Sequence, residues 1–363
     1  MYVKSIDLRN FRNYEELSLT LSPGINIFYG SNAQGKTNIL ESVYMAATTR
    51  SHRGSKDRDM IRLGEEESHI RMWTERGGNE NRIDIHLKKM RAKGVALNGF
   101  PVRRAADLYG ITPLVFFSPE DLRIVKNGPS ERRRFMDLVM GSMDRVYLAD
   151  LSRYVKILKE RNALLHEAAV NNGRRDEIDI WDMQLLDTGR RIIRKRREFL
   201  EIFSEKAALE HSKLTDGEEN LVISYEPNVS EEDFEDKLRR NRESDLRTRE
   251  THAGPHRDDL SLMTGDMDLR VYGSQGQHRT AALSMKLAEI AYIGETEGVK
   301  PILLLDDVLS ELDTKRQNAL LAGIDSTQTL ITCTGMDDLL GRAISADRIY
   351  EVVRGTVREI SRG

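Results

Sequence analysis

Lys36 and Thr37 close the run Gly30-Ser31-Asn32-Ala33-Gln34-Gly35-Lys36-Thr37, which fits G-x-x-x-x-G-K-[ST] at every fixed position. The chemistry open to such a run is capture of an anion. Its glycines let the backbone turn so that successive N–H groups aim at one point, its ammonium adds charge, and its hydroxyl is a hard ligand for a divalent cation. A polyphosphate fits: Lys36 would reach the β- and γ-phosphates, and Thr37 would ligate Mg²⁺. The flanking residues supply the support that this needs. Ile25–Tyr29 reads as a strand, and the segment from Lys36 reads as a helix with Ile39, Leu40, Val43 and Ala47 on one face. A helix N-terminus after a glycine loop adds its dipole to the site. The run therefore points to a bound nucleoside triphosphate.

A second constellation lies far downstream. Ile302, Leu303, Leu304 and Leu305 form an aliphatic run of the kind found in a parallel strand covered on both faces, and it ends in Asp306 and Asp307. Adjacent carboxylates at the end of a buried strand repel each other and need a cation or a proton. The Mg²⁺ carried by a nucleotide would serve, with Asp306 holding it through water and Asp307 orienting or deprotonating the attacking water. Ahead of them, Ser274-Gln275-Gly276-Gln277 opens an amphipathic helix striped by Leu283, Leu287 and Ile290. A hydroxyl, a glycine amide and a helix dipole again suit an anion, though the same turn could simply start a helix.

Composition narrows the setting. Cys333 is the single cysteine, which excludes a disulfide framework and a thiolate metal cluster and suggests the reducing cytoplasm. No apolar run approaches a membrane span. The net charge of −3, with 32% charged residues, leaves any nucleic-acid binding to local patches. Aromatic residues, at 6%, are too sparse for a base-stacking platform.

In order and kind, these segments resemble the ABC-type ATPase heads: residues 30–37 as Walker A, 274–277 as signature, 303–307 as Walker B and 310–313 as D-loop. The opening Val3-Lys4-Ser5-Ile6-Asp7-Leu8-Arg9-Asn10-Phe11-Arg12-Asn13-Tyr14 is similar to the DNA-repair and chromosome-maintenance ATPases, where an arginine placed like Arg12 can reach bound phosphates. Four further segments, Arg50-Ser51-His52-Arg53, Phe116-Phe117-Ser118-Pro119-Glu120-Asp121-Leu122, Gly128-Pro129-Ser130-Glu131-Arg132-Arg133-Arg134-Phe135 and Ala253-Gly254-Pro255-His256-Arg257-Asp258-Asp259-Leu260, resemble the RecF family of bacterial recombination mediators. The resemblance implies an α/β ABC-type P-loop head with an antiparallel β subdomain and an inserted helical lobe. It implies ATP and Mg²⁺ as cofactors and an ATP-dependent homodimer in which Ser274, Gly276 and Gln277 of one chain close over the γ-phosphate held by the other. It also implies binding to gapped or junction DNA and to single strands, cooperation with RecR and RecO, and weak, DNA-stimulated hydrolysis with Lys36 and Asp307 as catalytic residues.

The expected division is 1–140 and 251–363 as the two parts of the head, with 141–250 as the lobe. Within the lobe, Leu151, Tyr154, Leu158 and Leu165 make one helical stripe, and Leu185, Ile192, Phe199 and Ile202 make another, with Asn171-Asn172-Gly173 as the turn. Candidate DNA contacts are Arg132, Arg133, Arg134, Arg190, Arg191, Arg194, Lys195, Arg196 and Arg197, which could equally be solvated helix faces paired with nearby acids. Two departures from the ABC pattern favour slow turnover. Asp307 stands where a glutamate is usual, and the strand ending at Cys333 and Thr334 lacks the usual histidine; Thr332 or Thr334 could hydrogen-bond the γ-phosphate but could not take a proton. The lobe-linking glutamine has no clear counterpart near residues 118–121.

Overall fold

The computed structural model describes residues 1–103, 105–108, 110–168, 176–323, 327–335 and 346–360. The expected turn Asn171-Asn172-Gly173 lies outside the described residues. Two compact units make up the chain, one formed by residues 1–121 with 289–363 and the other by residues 122–288.

The first unit begins with β1 (Tyr2–Phe11), β2 (Tyr14–Thr20) and β3 (Ile25–Tyr29), followed by the phosphate-loop segment and α1 (Lys36–Thr48). Next come β4 (Glu67–Arg76), β5 (Asn79–Lys88), β6 (Gly94–Leu97), β7 (Phe100–Pro101) and β8 (Leu114–Phe117). Strands β2-β1-β4-β5-β6-β7 form an antiparallel sheet in that order. Alternation along β4 buries Ser68, Ile70, Met72 and Thr74 and turns Glu67, His69, Arg71 and Trp73 outward, so the sheet has one wet face.

The second unit is mostly helical: α2 (Leu122–Lys126), α3 (Pro129–Met143), α4 (Arg145–Ala168), α5 (Ile178–Leu214), β9 (Leu221–Glu226), α6 (Phe234–Thr248), β10 (Asp259–Thr264), β11 (Met267–Asp268), α7 (Leu269–Tyr272) and α8 (Gln275–Glu297) up to Ala288. Pro129 sits at the first turn of α3, where its missing N–H costs nothing. The two striped helices are α4 and α5. The α5 stripe differs from its expected phase: Phe203 is buried and Ile202 is 50% exposed. The inward positions are Leu185, Gly189, Ile192, Arg196, Phe199 and Phe203, at spacings of three and four, so an arginine occupies a core position. Gly189 is small for a reason: a Cβ there would fall 2.5 Å from the Phe234 ring.

The chain then completes the first unit with β12 (Ile302–Asp306), α9 (Thr314–Gly323), β13 (Thr329–Cys333), β14 (Arg348–Val353) and β15 (Thr356–Glu359). These strands join earlier ones in a second sheet, ordered β15-β14-β3-β13-β12-β8, that is parallel except for the terminal hairpin. Every residue of β12 and β13 is buried, as parallel neighbours on both edges require. One core unites the inward residues of both sheets with Ile39, Leu40, Val43 and Met45 of α1. That packing fixes the end of β3, the end of β12 and the start of α1 against one another.

Candidate nucleotide site

The phosphate loop depends on glycine at two places. Gly30 has φ 151°, and a Cβ on it would lie 2.3 Å from the Val352 carbonyl oxygen. Gly35 has φ 117°, and a Cβ there would meet Asn13 Nδ2 at 2.5 Å and the Tyr14 hydroxyl at 2.7 Å. Both combine a left-handed backbone with a close approach that only glycine tolerates. The loop is held from outside: Asn13 Nδ2 and the Gly355 N–H donate to the Gln34 carbonyl at 2.9 and 3.1 Å, and the Tyr14 hydroxyl donates to the Gly35 carbonyl at 3.0 Å. Among the described hydrogen bonds, none uses the backbone N–H of Ala33, Gln34, Gly35, Lys36 or Thr37. Lys36 Nζ folds over the loop and donates to the carbonyls of Gly30 and Ser31 at 2.6 and 2.9 Å. Burial lowers its pKa, against the pull of Asp307 and Asp306.

The end of β12 meets the start of α1 and the end of β13 through a carboxylate and two hydroxyls. Thr37 Oγ1 donates to Asp306 Oδ1 at 2.7 Å, and Thr332 Oγ1 donates to the same oxygen at 2.8 Å. Thr332 also accepts from the Asp307 N–H at 3.0 Å, so this hydroxyl braces the carboxylate pair and does not reach for phosphate. Asp307 holds a left-handed backbone, φ 54°, a conformation uncommon for a non-glycine residue. A hydroxyl and a carboxylate in contact make an all-oxygen donor pair suited to Mg²⁺, with water completing its octahedron. Thr37 and Asp306 would hold the ion, which would supply charge neutralisation at the phosphates.

Arg12 occupies a different position from the one expected of it. Its Nε and Nη2 form a double hydrogen bond with the Glu41 carboxylate at 2.8 and 2.9 Å, while Nη1 donates to the Asp59 carbonyl and Nη2 to Ser55 Oγ. These bonds take four of its five N–H donors and leave one on Nη1, so a phosphate could meet this arginine through that donor, but not through the paired fork that Glu41 already holds. Glu41 is fully buried on α1; burial would raise its pKa, but the bonds from Arg12 and from Ser51 Oγ prevail and hold it low. Sequence reasoning did not reach Glu41. The available signal was weak: a carboxylate in the middle of a helix whose other residues from Ile39 to Ala47 are small or apolar except Ser42 and Tyr44. His52 stacks on Phe116 at 4.1 Å and meets Tyr44 edge-on, so it braces β8 against α1. Arg53 Nη2 lies 3.9 Å from Asp306 Oδ2. Residues 118–121 form a closed turn at the end of β8, where the Ser118 N–H donates to Asp121 Oδ2 and the Asp121 N–H to the Ser118 carbonyl.

In the second unit, Ser274 and Gln277 form a reciprocal cap on α8. The Gln277 N–H donates to Ser274 Oγ at 3.2 Å, and the Ser274 N–H to Gln277 Oε1 at 3.0 Å. Gln277 Nε2 is anchored in turn on Glu219 Oε1 at 3.1 Å. Ser274 is exposed, so its hydroxyl can accept from the helix and donate outward to an anion. Val271 and Tyr272, just before it, are 66% and 73% exposed.

The cationic clusters divide sharply. Arg132 is 3% exposed and bonds Asp259 through Nε and Nη2 at 2.6 and 2.9 Å, and Arg196 is 1% exposed between Asp137, Asp258 and the Pro255 carbonyl. Neither can touch DNA: burial and paired carboxylates remove both from the expected contacts. Half-buried Arg133 donates to the Asp258 carbonyl. Arg190 and Arg191 bind the Glu231 carbonyl and Asp150 respectively. Arg134, Arg194, Lys195 and Arg197 remain at the surface. A groove of about 950 Å³ between α5 and α6 carries five arginines (190, 191, 194, 239 and 242) against four carboxylates (179, 182, 187 and 235), so its charges nearly cancel. His256 is placed by two bonds, its Nε2 donating to the Thr251 carbonyl at 2.9 Å while Nδ1 accepts from the Tyr154 hydroxyl at 2.7 Å. Burial lowers its pKa to about 4. It is a structural turn residue.

Among the described residues, no helix is long and apolar enough to cross a membrane. Residues 2–357 match the model of the RecF/RecN/SMC N-terminal domain. The chain is 53% identical over 359 residues to the DNA replication and repair protein RecF of Lachnoclostridium phytofermentans, covering 99% of this chain and 100% of the relative. A solved structure of the recombination mediator protein RecF with ATP, from the RecFOR pathway, superposes with a TM-score of 0.93 at 34% identity, covering 99% of this chain and 98% of that one. An SMC head domain with an extended coiled coil from Pyrococcus furiosus, solved with the C-terminal domain of ScpA, superposes at 0.56 with 15% identity over 99% of this chain and 96% of the other, a likeness of fold. The fold is that of an ABC-type ATPase head, and the chain belongs to the RecF family.

Proposed function

We propose that this chain is an ATP-driven clamp of DNA replication and recombinational repair. One observation carries the reading: the chain holds a single phosphate loop with its carboxylate pair, and a single exposed Ser274–Gln277 cap on α8. ATP binds at residues 30–37, with Thr37 and Asp306 holding Mg²⁺. Ser274, Gly276 and Gln277 of a second copy close on its γ-phosphate, so the functional form is a homodimer with two shared sites. Asp307 directs the attacking water, and hydrolysis reopens the dimer. The head is assembled from residues 1–140 and 251–363, with 141–250 as its helical lobe.

DNA is the partner of the closed form, engaged at single-strand/double-strand boundaries, and RecR and RecO are its protein partners. Support comes from the near full-length relatives, which include a DNA replication and repair protein and a structure from the RecFOR pathway. Turnover is slow because the Asp307 side chain is short and Thr332, which braces the acids, cannot take a proton. Light scattering without nucleotide, with ADP and with a non-hydrolysable ATP analogue, each with and without gapped duplex, tests the clamp. A dimer confined to the ATP analogue and strengthened by DNA is the expected result. One mass in every condition refutes the switch, and an ATPase assay with and without gapped DNA tests whether hydrolysis is coupled to release.

A further inference from the structure

The wet face of the antiparallel sheet carries a cluster that nucleotide chemistry does not use. Strand alternation puts Glu67 and His69 on one face of β4, and antiparallel register sets His69 directly opposite His86 of β5. The imidazoles stack with centroids 4.0 Å apart and planes 24° from parallel. Both aim Nε2 at one carboxylate: His86 Nε2 is 2.9 Å from Glu67 Oε2, and His69 Nε2 is 3.7 Å from Glu67 Oε1. The three ligand atoms lie within 4.8 Å of one another, and among the described residues no other three such groups converge this closely.

We propose that Glu67, His69 and His86 form a zinc-class metal site, with three protein ligands and one position open to water. Two imidazole nitrogens with one carboxylate oxygen suit Zn²⁺, whereas Mg²⁺ and Ca²⁺ take all-oxygen sets. Bonds of about 2.0–2.2 Å to a tetrahedral ion put its ligands roughly 3.3–3.5 Å apart, so the side chains must draw together from separations of up to 4.8 Å. They can make that adjustment, being 45%, 31% and 53% exposed at His69, His86 and Glu67, on strands whose pairing is fixed. Both histidines line a groove of about 800 Å³, which would give water access to the ion. Gly94, paired with His86 from β6, adds no side chain to obstruct it. Nearby cations temper the affinity without blocking the site. Arg71 is paired with Asp84 at 2.6 Å, and Arg9, opposite His69 on β1, faces Glu16 of β2. A bound ion would clip β4 to β5.

The test uses the full-length chain, freed of metal by chelation and titrated calorimetrically with zinc chloride, with excess magnesium occupying oxygen-ligand sites. Wild type should take up one zinc per chain, and a His69→Ala/His86→Ala variant should bind at least about tenfold more weakly. Cobalt-loaded wild type should show the visible absorption of a tetrahedral nitrogen/oxygen site, absent from the variant. Circular dichroism and melting temperature without metal should match, since both rings are partly exposed. Equal zinc affinity in the two proteins, or no uptake by wild type at roughly 100 μM free zinc, overturns the proposal.

Discussion

Lys36 in the first unit and Arg196 in the second are both buried cations with several hydrogen bonds, and they serve opposite ends. The partners of Lys36 are neutral carbonyls, those of Gly30 and Ser31. Among the described residues no carboxylate bonds it directly, so a phosphate arriving at the loop competes only with the more distant pull of Asp307 and Asp306. Arg196 bonds two carboxylates, Asp137 and Asp258; burial works against its charge, but Tyr147 and those acids keep it firmly protonated. A phosphate has nothing left to gain there. The counterion, more than burial or charge, separates a ligand-binding cation from one that holds a fold.

The largest effect expected from this contrast is on folding. Arg196→Met removes the bonded cation from Asp258, which is fully buried and whose pKa burial already raises, and from Asp137. Asp258 keeps the Tyr225 hydroxyl and the Asn228 N–H, and Asp137 keeps the Tyr147 hydroxyl. Stability should fall by about 3–5 kcal/mol in denaturant unfolding, whereas Arg194→Met, on the exposed side of the same helix, should change it by about 0.5 kcal/mol or less. Comparable losses at the two positions would break the contrast. Next in size is Lys36→Ala. Nucleotide affinity should drop roughly a hundredfold, or about 2.7 kcal/mol, when read with a fluorescent ATP analogue. The nucleotide-free melting temperature should barely move, because the partners of Lys36 are carbonyls that water can satisfy.

How much of this was readable beforehand follows from the same physics. Residues 30–37 and the end of β12 were legible because phosphate and Mg²⁺ demand fixed residue types at fixed spacing, and a parallel strand buried on both faces must be aliphatic. Arginine was harder to place. Arg132 and Arg196 look like surface charge in composition, yet Arg196 stands four residues after Ile192 and three before Phe199, squarely on the buried stripe. Spacing held that information, but the paired acids Asp137, Asp258 and Asp259 come from distant segments that no local pattern links. Glu41, Thr332 and the placement of Arg12 were hidden for the same reason, since each is defined by a partner remote in sequence.

A third buried nitrogen sharpens the contrast through pH. His256 is neutral, pinned by Tyr154 and Thr251, with the charges of Arg257, Arg133 and Arg161 nearby opposing its protonation. Its pKa is lowered from 6.5 to about 4, so on acidification the unfolded chain takes up the proton first. Stability is therefore lost as pH falls below 6.5 and continues to fall until about 4, where the folded form also protonates. Between pH 7 and pH 5 this one group should cost about 2 kcal/mol. Urea unfolding of wild type and His256→Gln at both pH values measures it, and the variant should lose that share of the slope. Identical slopes would mean that the histidine is not held neutral.

The smallest expected effect decides what the surface cations are for. Arg194 and Arg197 both lean on Glu231, at 2.9 and 3.2 Å, so two guanidiniums share one carboxylate and a net positive charge is left over. Lys195 faces two carboxylates, Asp144 at 3.2 Å and Glu198 at 4.0 Å. By the counterion rule, any phosphate affinity on this stretch of α5 belongs to Arg194 and Arg197 and is nearly absent from Lys195. Arg194→Ala with Arg197→Ala should weaken binding to gapped duplex a few-fold and lower the slope of log affinity against log salt by up to about 0.9 per lost contact, with no change in ATP binding. Lys195→Ala should leave both affinity and slope near wild type. If Lys195→Ala matched the double variant, the counterion rule would fail at the surface, where water and salt screen every pair, and hold only where the protein has excluded them.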